Sequence, residues 1–119
     1  MEPGARAVVA YIVKAIAAGH SPSSVYDHSE GRHIIISGHL GGSSVSLYDH
    51  ARGCHISGSR SGGSLNLYDH GRSAHFSLNL SGRSFTGYDH GTGSHFSGTA
   101  GPSSCSIYDH EHGQHFHYS

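Results

Sequence analysis

The triplet Tyr-Asp-His occurs at Tyr26-Asp27, Tyr48-Asp49, Tyr68-Asp69, Tyr88-Asp89 and Tyr108-Asp109, each followed by its own histidine. A second histidine stands five residues after the first, at His33, His55, His75, His95 and His115. A neutral imidazole is a nitrogen ligand for Zn²⁺, Ni²⁺ or Cu²⁺ and a proton carrier near neutral pH, and a neighbouring carboxylate can orient it or cap a turn. The last repeat is the richest, with His110, His112, His115 and His117 inside eight residues. The tyrosines recur at spacings of 22, 20, 20 and 20 residues, so one supersecondary unit has been copied along nearly the whole chain.

Three chemistries compete for these residues. The first is metal binding: with a four-residue hairpin loop, His50 faces His55, His90 faces His95 and His110 faces His115, each pair offering two ligands. Strand alternation adds His117 to the face of His110 and His115, beside Tyr108, and His112 lies next to them. The second is structural, with histidines in packing slots and Asp49, Asp69, Asp89 and Asp109 accepting backbone N–H groups at a turn. The third is catalysis. A triad singles out one nucleophile beside one oriented base, and five-fold repetition argues the reverse. The chain also lacks Gly-x-Ser-x-Gly, Gly-x-x-x-x-Gly-Lys and His-Glu-x-x-His, so it is read as non-enzymatic.

Regular strands must position these groups. Ser44-Val45-Ser46-Leu47-Tyr48-Asp49-His50 and His75-Phe76-Ser77-Leu78-Asn79-Leu80 alternate apolar and polar residues, the mark of a half-buried strand. Each repeat therefore supplies two strands. They are separated by segments such as Ala51-Arg52-Gly53-Cys54 on one side and by Gly41-Gly42, Ser61-Gly62, Ser81-Gly82 or Gly101-Pro102 on the other. Glycine holds the third loop position at Gly31, Gly53, Gly93 and Gly113, where a left-handed backbone is needed. Ser73 replaces it in the third repeat, which makes that loop the most strained.

Facing can be tested by arithmetic. Pairing about Ser81-Gly82 sets Leu78 opposite Phe85, and the same rule sets Ile36 opposite Leu47, Ile56 opposite Leu67 and Phe96 opposite Ile107. The first repeat carries two extra residues, Ile34-Ile35, which preserve the facing. Gly38, Gly58, Gly87 and Gly98 on the apolar face mark close approach of another backbone, and the N-terminal helix is the expected occupant of that space.

That helix is predicted over residues 3 to 18. Val8, Val9, Ile12, Val13 and Ile16 fall within about 140° of one another at about 100° per residue, Pro3 suits the first turn and Gly19 the stop. Lys14 interrupts the apolar run and disfavours a signal peptide, and the run is too short for a membrane span. Residues 1–20 form the helical part and 21–119 the five-repeat β part of one domain, with Ser21-Pro22-Ser23-Ser24 as linker.

The fold expected is all-β with one N-terminal α-helix: about ten short antiparallel strands, five β-hairpins, curled or closed around the helix. The alternative is a helix-capped parallel β-solenoid with 20-residue rungs. A chain of 119 residues with 34% hydrophobic content and no tryptophan has a thin core. Its formal net charge of −1 offers no footprint for nucleic acid. Protonating the histidines would carry it to about +10 at pH 5. Cys54 and Cys105 form no Cys-x-x-Cys pair and leave the redox compartment undetermined, with the cytoplasm only slightly favoured over secretion.

The functional expectation is a structural or interaction module, with the helix or a sheet edge meeting an unknown protein partner or a second copy. A histidine-rich transition-metal-binding protein is the alternative, with no cofactor required and Zn, Ni or Cu as candidate ions. A pH-responsive switch, in which facing imidazoles repel on protonation, is the second alternative.

Overall fold

The structure, a computed structural model, describes residues 1–19, 22–40 and 42–119. Ser21 of the linker and Gly41 of the Gly41-Gly42 turn lie outside the described residues. The helix α1 runs Pro3–Ala18, with proline in its first turn and Gly19 closing it in the left-handed conformation at φ 75°. Ten strands follow: β1 Ser24–Asp27, β2 Arg32–His39, β3 Ser44–Asp49, β4 Cys54–Ser61, β5 Ser64–Asp69, β6 Ala74–Ser81, β7 Ser84–Asp89, β8 Ser94–Ala100, β9 Cys105–Asp109 and β10 Gln114–Tyr118.

Consecutive strands pair antiparallel, and β10 returns to β1, so the meander closes into a barrel. This excludes the parallel solenoid. Closure also satisfies the N–H and C=O groups that two free edges would leave bare. At the seam Asp27 pairs with Tyr118, and Tyr26 and Ser119 exchange backbone hydrogen bonds of 2.8 and 3.0 Å.

The alternation places Val45, Leu47, Ile56, Leu65, Leu67, Phe76, Leu78, Phe85, Phe96 and Ile107 inside, all nearly solvent-free. The helix threads this lumen. Ala5 to Ala15 are buried without interruption, so the expectation of one apolar face is corrected: the barrel wall meets every face of α1. Each fully buried valine or isoleucine contributes about 1.5–3 kcal/mol, which is how a thin composition sustains a core. Arg6 and Lys14 are swallowed with the rest, at 4% and 7% exposed. Among the described residues, no helix is long and apolar enough to cross a membrane.

Facing was read correctly from alternation, but register moves by two residues. Leu80, not Leu78, lies opposite Phe85. Ile36, Ile56 and Phe96 lie opposite Asp49, Asp69 and Asp109, while Gly38, Gly58 and Gly98 lie opposite Leu47, Leu67 and Ile107. The cause is a turn centred one residue further along: Ser61 pairs with Ser64 and Ser81 with Ser84, so the two-residue loops are Gly62-Gly63 and Gly82-Arg83, beginning at Gly62 (φ 60°) and Gly82 (φ 61°). The strand glycines meet a neighbouring strand rather than the helix. A Cβ on Gly58 would fall 2.0 Å from the Asn66 carbonyl oxygen, and one on Gly98 2.0 Å from that of Ser106.

Candidate functional site

The hairpin loops at one end of the barrel organise everything that carries chemistry. Asp49 Oδ1 accepts the Ala51 N–H at 3.0 Å and the Arg52 N–H at 3.3 Å, while the Gly53 N–H returns to the Asp49 carbonyl at 2.8 Å. Asp27, Asp69, Asp89 and Asp109 cap their own loops in the same way, each taking the N–H two residues on. The capture ends strand pairing at the aspartate, so Asp49 faces Cys54 and Tyr48 faces His55. The expected pairing of His50 with His55, His90 with His95 and His110 with His115 is therefore corrected. A tyrosine ring stands between the two histidines of each hairpin.

Facing inward, the five aspartates are all 0% exposed and form a carboxylate ring inside one rim. Arginines at the second loop position link three of them from hairpin to hairpin. Arg52 joins Asp49 at 2.7 Å to Asp69 at 2.9 Å, and Arg72 joins Asp69 at 3.2 Å to Asp89 at 2.9 Å. Asp109 takes Arg6 of the helix at 3.1 Å and His112 at 2.9 Å, and Arg6 also lies 3.5 Å over the Phe116 ring. Burial alone would raise the Asp69 carboxyl, but hydrogen bonds and charge from Arg52 and Arg72 hold it below the ordinary carboxylate range. Asp109 is likewise lowered against its own burial, by His112 and the Met1 ammonium. Asp27 has Glu30 in place of an arginine, and its buried Oδ2 has no hydrogen-bond partner among the described residues. The sequence reading missed this ring, although Asp-x-x-Arg at Asp49 and Asp69 signalled it.

Facing outward is a belt of rings. Each tyrosine is packed edge-on between two histidines, with centroids 4.6 to 4.9 Å apart in all five repeats. The tyrosines are half-buried and the histidines exposed. Serine hydroxyls anchor the first histidine of a repeat from the preceding hairpin: Ser37 to His50 at 2.8 Å, Ser57 to His70 at 2.9 Å and Ser97 to His110 at 3.4 Å. Ser119 does the same for His28 across the seam.

Histidines are joined through their backbones, but between hairpins. The His70 N–H donates to the His55 carbonyl at 3.0 Å, His90 to His75 at 3.0 Å, His110 to His95 at 3.2 Å, and His28 to His117 at 3.1 Å. The two-residue insertion puts Ile35 where a histidine would stand, so His50 donates to Ile35 at 3.0 Å. Ile35 is 55% exposed. At the seam, His28 and His117 line a cleft of about 410 Å³ together with Cys105 and Tyr118. Burial pushes the Cys105 thiol up to about 12, against the lowering influence of Lys14.

The expected cluster of His110, His115 and His117 does not converge. Among the described residues, the group of three or more potential ligands within 4.8 Å is Asp109, Glu111 and His112. Its carboxylate at Asp109 is already held by Arg6, so that group belongs to the ion-pair ring. No protein-family model, no curated protein and no solved structure matches this chain.

Proposed function

We propose that the protein is a non-enzymatic structural and interaction module, a helix-plugged barrel that displays its tyrosine–histidine belt as the binding surface. The observation that carries this reading is the division of labour at the rim: the helix is consumed by the lumen and the strand edges by closure, while the belt histidines remain exposed. The surfaces first expected to meet a partner, a free helix or a sheet edge, are thus engaged inside the fold. The belt is also rigidly held, each ring between neighbours and several tied by serine.

The serine–histidine contacts do not favour catalysis. Ser57 and His70 sit on a convex wall, and the aspartate of the same triplet is turned into the rim rather than onto the imidazole. Modification of histidines with diethyl pyrocarbonate, followed by circular dichroism, tests the reading. Belt histidines should react while the folded signal and its cooperative melting persist. Unfolding in step with modification would mean that the belt is packing rather than display surface.

A further inference from the structure

We propose that each inter-hairpin histidine pair, His55 with His70, His75 with His90, His95 with His110 and His117 with His28, is a two-imidazole site for a first-row divalent transition metal ion. The inference rests on the belt being a display surface. One backbone hydrogen bond joins the two residues of every pair, and the register of the adjoining strands sets them opposite one another, where side chains share one face with Cβ atoms about 4.5–5.5 Å apart. From that separation two exposed rings reach one ion at metal–nitrogen distances of about 2.0–2.1 Å, leaving the remaining positions to water. The existing ring contacts limit the side-chain freedom lost on binding, with His70 Nδ1 left for the ion while Nε2 stays on Ser57. His70 is packed against Tyr68 at 4.8 Å and bonded to Ser57 at 2.9 Å, and His55 is packed against Tyr48 at 4.8 Å. Nitrogen ligands favour Cu²⁺ most strongly among the divalent ions of this series, with Ni²⁺ and Zn²⁺ behind it.

The fold supplies its own control. His50 has the backbone placement of a pair member, but its opposite residue is Ile35. His39 lies opposite Ser46 and has no histidine across from it. The inference therefore ranks histidines by partner, not by exposure.

Cu²⁺ titration of untagged, metal-stripped full-length protein, followed by calorimetry and electron paramagnetic resonance, decides it. The wild type should show two-nitrogen coordination at each pair. His55→Ala and His70→Ala should each weaken the same site by roughly 100-fold, the second imidazole acting at high effective concentration, and the double variant should lose no more than either. His39→Ala should leave the titration unchanged. Ile35→His should add a site, which Ile35→His combined with His50→Ala abolishes. Equal small losses from every histidine, or no gain from Ile35→His, would overturn the proposal and mark adventitious imidazole binding. Circular dichroism of the same metal-free samples separates this from failure of the module itself: an unfolded apoprotein would sink the display reading, whereas a folded barrel without paired sites sinks only the metal.

Discussion

Within each triplet, the tyrosine and the aspartate are adjacent in sequence yet live in opposite worlds. Asp69 is solvent-free and pinned by two guanidinium groups, whereas Tyr68 lies across the outer wall between two exposed imidazoles. One repeat unit thereby builds an inner charged ring that holds the hairpins together and an outer belt that faces solvent. Repetition alone therefore does not identify a functional residue. The most buried members of the motif stabilise the fold, and the exposed ones are free to serve it.

The largest expected effect comes from breaking the inner ring. Asp69→Ala takes one of two carboxylate partners from each of Arg52 and Arg72 and releases the Gly71 and Arg72 N–H groups, and should cost about 3 kcal/mol in urea unfolding. A loss within the range of surface substitutions would contradict the ring's role. Gly98→Ala should follow at about 2 kcal/mol, because the new Cβ meets the Ser106 carbonyl oxygen of the next strand and a well-packed wall has little room to shift. The pH dependence has a definite sign. Asp69 and Asp109 are held below their ordinary range, so the stability they contribute is full above the unfolded carboxylate value of about 3.9 and is lost as pH falls through the lower folded values. Melting followed from pH 6 to pH 2 should show this loss on the acid side, and removing Asp69 should flatten it.

Two smaller effects sharpen the contrast. Ser73 has φ 50°, a positive value that the other repeats give to glycine, so Ser73→Gly should raise stability by up to about 1 kcal/mol. On the belt, His70→Gln should change unfolding by no more than about 0.5 kcal/mol. A shift of 2 kcal/mol there would place the belt with the ring as part of the packing.

Much of this was legible in the residues. Alternation assigned Leu47, Ile56 and Phe76 to the core because successive strand side chains must point to opposite faces. Pro3 and Gly19 bounded the helix, and the missing glycine at Ser73 marked the strained loop. Register was not legible. Moving a strand by two residues keeps every apolar side chain inside, so pattern alone could not choose between Leu78 and Leu80 as the partner of Phe85.

By itself, then, the sequence determined the elements, their facing and the repeat, since these depend on local backbone geometry and on which side chains avoid water. Tertiary structure decided closure, the all-round burial of the helix and the identity of the histidine pairs. Those depend on where each aspartate stops its ladder and on how ten strands come round to meet. His55 therefore finds His70 in the next hairpin rather than His50 in its own, because the turn at Gly62-Gly63 sets Ile56 opposite Asp69, and closure adds only the pairing of His28 with His117 at the seam.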